Sequence, residues 1–102
     1  MLTVRLFKGN STRFNIEYRD LNNNPAIPAT PLFKVYDSRY VEIHSEAVNI
    51  SNILLDEIGD PIPGGYYMEY TFENSSEFVV EFSGVFETKT TLTRQKVKVV
   101  FV

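Results

Sequence analysis

The chain reads as an all-β fold, an antiparallel sandwich of about seven to nine short strands joined by Greek-key connections. Three observations predict it. Apolar and polar residues alternate with a period of two in most of the apolar segments. Turn-forming residues interrupt the chain at roughly ten-residue spacing. Only one short stretch has a helical signal at all. The alternation is clearest in Gly64 to Phe82, GGYYMEYTFENSSEFVVEF. There Tyr66, Met68, Tyr70 and Phe72 fall on one side and Tyr67, Glu69, Thr71 and Glu73 on the other. Phe78, Val80 and Phe82 repeat the pattern beyond Asn74, Ser75 and Ser76, so the stretch predicts two antiparallel strands joined by a polar turn.

In chain order, Leu2 to Lys8 is a β-branched and apolar run closed by Gly9 and Asn10, a first strand. Ser11 to Arg19 alternates cleanly, with Phe14, Ile16 and Tyr18 on one face, and makes a second. Asp20 to Pro31 holds three Asn and three Pro, which disfavours a hydrogen-bonded ladder and predicts a long loop at one end of the sandwich. Leu32 to Asp37 and Tyr40 to His44 flank Asp37, Ser38 and Arg39, a hairpin whose expected inner residues are Phe33, Val35, Val41 and Ile43. Ser45 to Ile62 fits neither period, and reads as a strand followed by an irregular or helical crossover. Ser51 is placed to cap a short helix through Leu55, and Gly59, Pro61 and Pro63 are expected to stop any regular element. Ser83 and Gly84 permit a kink, Val85 to Thr90 continues outward, and Thr91 to Val102 is the last strand, with Val97, Val99 and Phe101 on one face.

The length, 102 residues, fits one domain over 1–102, near the size of a single immunoglobulin-like sandwich. Eight Phe and six Tyr can fill a core, and the absence of cysteine removes disulfides, thiol catalysis and thiolate metal sites together. A net charge of -3 argues against a nucleic-acid binder. No run approaches the ~20 apolar residues of a membrane span or the core of a signal peptide, so a cytoplasmic origin is expected.

The residues that carry chemistry elsewhere are sparse. His44 is the only histidine, is expected on the outward side of its strand, and has no serine elbow to serve; it reads as a surface histidine without a role. Asp56, Glu57 and Asp60 offer oxygen atoms to calcium but lack the spacing of an EF-hand loop, and read as a solvated acidic turn. Glu69, Glu73, Glu81 and Glu87 read as polar strand faces rather than a paired-carboxylate hydrolase site. Lys89, Arg94, Lys96 and Lys98 make the last strand basic, which cross-strand pairing with glutamates explains first, protection of an edge strand second and contact with packaged nucleic acid a distant third. Asn10, Asn49 and Asn74 begin N-x-Ser/Thr triplets that turn composition accounts for. Tyr67, on an outer face, is the best tyrosine for a protein or sugar contact. No catalytic, cofactor-binding or metal residue is assigned.

Several segments, KGNSTRFNIEYRD, NNNPAIPATPLFKVYD, PGGYYMEYTF, SSEFVVEFSG and KVKVVFV, follow one another in an order that resembles small immunoglobulin-like proteins encoded in the structural-gene regions of tailed bacteriophages. The opening third also resembles the N-terminal domain of phage baseplate upper proteins. Phe78 stands where such sandwiches often carry the tyrosine of a tyrosine corner. The resemblance implies a non-enzymatic virion component made in the host bacterial cytoplasm. Its partners would be other virion proteins of capsid, neck or tail, bound in repeated symmetric copies with no cofactor, membrane or specific nucleic acid. The alternative is a carbohydrate- or cell-surface-binding module in which tyrosines and the Asn-rich loop meet a glycan.

Overall fold

Alternation is realised as eight strands and no helix, in a computed structural model that describes all 102 residues. The strands are β1 (Leu2–Leu6), β2 (Thr12–Glu17), β3 (Ala29–Tyr36), β4 (Glu42–Ala47), β5 (Ile53–Leu55), β6 (Pro61–Tyr70), β7 (Glu77–Phe86) and β8 (Lys89–Phe101). They form a five-stranded sheet in the order β1-β8-β7-β3-β4 and a three-stranded sheet in the order β2-β6-β5. The division of strands two, five and six from strands three, seven and eight is that of an immunoglobulin-like sandwich. One pair departs from the antiparallel expectation: β1 runs parallel to β8.

The inner faces meet in one core of 15 buried residues, built from the alternate positions of both sheets. Phe33, Val35, Phe72, Val97 and Val99 are its most deeply buried members. Phe72 packs edge-on against Phe14 and Tyr70, and Phe33 lies 5.1 Å from Phe82, centroid to centroid. Each such phenyl ring contributes about 1.5–3 kcal/mol by leaving water.

Gly64 to Phe82 is not a hairpin. β6 and β7 lie in different sheets, and Thr71 to Ser76 cross between them. Phe72, in the middle of that link, is buried and touches Phe78 at 4.7 Å, so the connection passes through the core instead of turning at its edge. The expected inner residues nonetheless point inward, because both strands face the same core; Tyr70 alone is only partly buried.

The β3–β4 hairpin forms with the expected turn, but its second strand is out of phase. A bulge lies between the pairs Val35↔His44 and Tyr36↔Glu42, so Ile43 is the extra residue. The side chains beyond it change faces: Val41 and Ile43 are exposed, and His44 turns inward beside Phe33. Ser45 to Ile62 contains no helical turn. Asn49 rather than Ser51 organises it, accepting from the Ser51 amide through its side chain and from the Asn52 amide through its carbonyl. β5 follows directly and pairs with β6.

Three boundaries also differ from the sequence reading. Pro61 and Pro63 lie inside β6 rather than stopping regular structure, and β5 covers that end of β6 only at Leu55↔Pro61. β3 begins at Ala29, so Pro31 belongs to a strand, where its carbonyl accepts from the Val48 amide. Val85 and Phe86 finish β7, and Glu87 and Thr88 form a two-residue turn into β8, with Glu87 at φ 59. That turn has no Gly, Asn or Pro to announce it.

Candidate functional site

His44 projects from the edge strand β4 into a slot between Phe33 and Tyr70, whose ring centroids lie 6.2 and 5.0 Å from its own. Its Nε2 is 3.1 Å from Glu46 Oε1 but outside hydrogen-bond geometry, and that nitrogen is buried without a partner. The histidine is therefore a packed residue at the rim of the core, not the outward one its place in the alternation suggested.

Asp56, Glu57 and Asp60 do not converge as ligands, and no group of three His, Asp or Glu side chains in the chain does so. Asp56 Oδ1 instead accepts from the amides of Ile58 and Asp60. The same device occurs twice more. Asp20 accepts from Asn22 and Asn24, and Asp37 from Arg39 and Val41. In each loop the third residue on takes a positive φ: Asn23, Tyr40 and Gly59. These aspartates close turns by satisfying amides that no strand can reach. Asn and Gly adopt that conformation readily. Tyr40, exposed at the β3–β4 tip, does not.

A bond across the sandwich stands in for the missing tyrosine corner. Tyr18, just past β2, donates to the carbonyl of Ser83 in β7 at 2.9 Å, from a buried position. Burial holds its phenol well above the usual tyrosine range. Around it, Gly84 has no room for a side chain, since a Cβ would lie 2.3 Å from Pro28 Cγ. Gly64, at φ 73, would place one 2.5 Å from the Tyr18 carbonyl oxygen. Tyr18 was legible as an inner residue, but nothing local to it announced Ser83 as its acceptor.

Of the charged positions singled out above, the outer face of the five-stranded sheet carries Glu81, Arg94, Lys96 and Lys98; Glu69 lies in β6, Glu73 in the link after it and Glu87 in the β7–β8 turn. Glu81, only 4% exposed, receives Arg94 Nε at 2.6 Å and the Tyr36 hydroxyl at 3.4 Å. The hydrogen bond and charge of Glu81 raise the Arg94 guanidinium, and those of Glu42 raise the Lys34 ammonium, 2.9 Å away. Cross-strand pairing thus explains Arg94. It does not explain Lys96, which faces Val79, or Lys98, which faces Glu77 without a salt bridge. β8 is an edge strand over residues 89–96, which include Lys89, Arg94 and Lys96, because β1 covers only residues 97–101.

On the three-stranded sheet, Tyr67 is half-buried under Arg13, whose guanidinium lies 3.8 Å above the ring and bonds Glu69 at 3.0 Å. Beside it, Glu46, Asn49, Asn52, Tyr67 and Glu69 line an open polar groove of about 350 Å³ where the edges of the two sheets meet. Asn52 Nδ2 is already engaged with the Tyr67 carbonyl. Asn10, Asn49 and Asn74 all lie in links between strands. Ile53, Leu55, Ile50 and Ile58 are exposed on the same flank.

Backbone groups free to bind lie along β1 and β4 of one sheet and β2 and β5 of the other, and along residues 89–96 of β8, which β1 does not reach. The chain matches no known protein family, no curated protein and no solved structure.

Proposed function

We propose that this chain is a non-enzymatic structural component of a tailed-phage particle, made in the bacterial cytoplasm and attached to capsid, neck or tail subunits. The observation that supports the reading is the order of segments from KGNSTRFNIEYRD to KVKVVFV, which resembles the small immunoglobulin-like proteins of phage structural-gene regions. The free sheet edges supply a means of attachment that needs no cofactor, since a neighbour's strand can complete an open ladder. The polar groove and Tyr67 favour the alternative, a glycan-binding module, more weakly: Arg13 already covers one face of that ring and Asn52 is spent on the fold.

The test is mass spectrometry of particles purified from a host carrying the gene. The expected outcome is the chain in a fixed multiple-copy ratio to the particle's other subunits. Its absence from particles, together with binding to host cell wall or to a glycan array, would overturn the reading in favour of the alternative.

A further inference from the structure

Three loops of this chain share one hydrogen-bonding pattern, and one of them carries a residue that the pattern disfavours. In 20–24, 37–41 and 56–60 an aspartate side chain accepts from the amides two and four residues on. The aspartate's own amide donates to the fifth residue, and its carbonyl accepts from the fourth. That fourth residue takes a left-handed backbone, at φ 65 in Asn23, 61 in Tyr40 and 90 in Gly59. Asn and Gly reach this conformation readily, and a bulky side chain does not. Thr30 and Glu87 also have positive φ, but at a strand irregularity and in a two-residue turn, where strand pairing sets the backbone. Tyr40 lies 58% exposed and outside the core, so the fold would be served as well by Asn or Gly.

The surroundings of Tyr40 give its ring something to do. β3 ends with Tyr36 beside Val79, so the tip that follows overhangs the Glu77 end of β7. Ser38, Tyr40, Glu77, Val79 and Lys96 there line a hollow of about 100 Å³. Val4, Leu6, Val97 and Val99 point into the sandwich, so Arg5, Lys96 and Lys98 project together from the outer face of two adjacent strands. Arg39 is exposed next to Tyr40. None of these four cations has a salt bridge. Of the nearby acids, Glu81 holds Arg94, Glu42 holds Lys34, and Asp37 turns one oxygen to the Arg39 and Val41 amides. Glu77 lies opposite Lys98 without bonding it. Four unpaired cations against Asp37 and Glu77 make this corner positive in a chain of net charge -3.

We infer that the β3–β4 tip and the adjoining stripe of Lys96, Lys98 and Arg5 form a docking surface for an acidic patch on another protein, with Tyr40 as the anchor. The inference rests on the reading that the chain attaches to other subunits, and adds which face meets them and with what charge. Tyrosine and arginine concentrate binding energy in protein interfaces, because each brings a large contact area to a central position. The lysines form a rim that steers and orients an acidic partner. A folded surface can set its own cations against Asp37 and Glu77. A phosphate chain cannot, and it would find a single exposed ring to stack on, so the mosaic of charge favours a protein over a nucleic acid.

Fluorescence anisotropy with a labelled peptide of alternating Glu and Leu tests the surface on the purified chain. Binding is expected at low salt and is expected to be lost at about 1 M, where the screening length falls to about 3 Å. Tyr40→Gly, which copies Gly59, is expected to weaken binding at least about tenfold while raising the urea midpoint, because the loop sheds its disfavoured residue. Lys96→Glu combined with Lys98→Glu is expected to weaken binding at least about tenfold, with circular dichroism confirming the fold. No binding at low salt, or undiminished binding by both variants, would overturn the inference. So would a lower urea midpoint for Tyr40→Gly, since the fold itself would then require the ring. Tighter binding of an oligothymidylate, lost in the same variants, would overturn it in favour of a nucleic acid. In purified particles Tyr40→Gly is expected at no more than about a tenth of the copy number of the unaltered chain. An undiminished copy number would overturn the inference and leave the particle assignment standing. Absence of the unaltered chain from particles would overturn that assignment, and peptide binding would still decide this surface.

Discussion

The end of the sandwich around Tyr18 and the flank formed by β4 and β5 show two ways of finishing the same core. At the Tyr18 end the finish is dry and specific: a buried phenol reaches across to Ser83, and Gly64 and Gly84 are packed so closely that a methyl group would collide. At the β4–β5 flank it is loose and wet. A bulge, an open polar groove and exposed Ile43, Ile53 and Leu55 lie together there. The first region leaves little to vary and fixes how the sheets stack. The second leaves apolar and charged groups facing solvent, which is where binding is cheapest to accommodate.

The strongest break in that contrast is Phe72→Ala, which empties the connection through the core shared by both regions. It is expected to cost about 3–5 kcal/mol in chemical denaturation, close to the whole stability of a small domain. Tyr18→Phe comes next. It strands the Ser83 carbonyl and is expected to cost about 1–3 kcal/mol. It also has a pH signature. Burial raises the folded Tyr18 phenol above its unfolded value. Its contribution is therefore fully present below about pH 10 and falls as pH rises beyond it, because the unfolded chain releases a proton that the folded one keeps. Denaturation curves above pH 10 should lose about 1.4 kcal/mol per pH unit from this one group, and Tyr18→Phe should remove that part of the slope. Tyr70, raised in the same direction by burial and Glu73, contributes to what remains. At the other extreme, Leu55→Ser on the loose flank is expected to shift stability by no more than about 0.5 kcal/mol. A large loss there would mean that the flank belongs to the core after all.

Much of the fold was legible because a period of two says which side chains face inward. Phe14, Ile16 and Tyr18, Tyr66 and Met68, and Val97 and Val99 were all assigned to the core and all lie in it. The same period cannot say which strand lies alongside, and that is why β6 and β7 looked like a hairpin: Phe72 in the link was read as the last inner residue of a strand when it is the plug of a crossing. One inserted residue, Ile43, reversed the phase of β4 and hid the true orientation of His44. The turn at Glu87 and Thr88 had no local chemistry to mark it, since its shape is imposed by the two long strands that it joins. Of the candidate surfaces, the basic residues of the last strand were visible from the start. Which of them would meet a glutamate was not, because it depends on the β7–β8 register, which sets Arg94 opposite Glu81 and Lys96 opposite Val79.

The parallel pairing of β1 with β8 also has a mechanical meaning. Leu2 lies beside Val97 and Leu6 beside Phe101, so a pull directed backward along β1 from its start and forward along β8 from its end draws the two strands past each other. The bonds of the ladder then share the load together in shear, instead of opening one after another like a zip. A chain tethered ahead of β1 and behind β8 would act as a tension link, with its weakest bonds spared until the whole clamp yields.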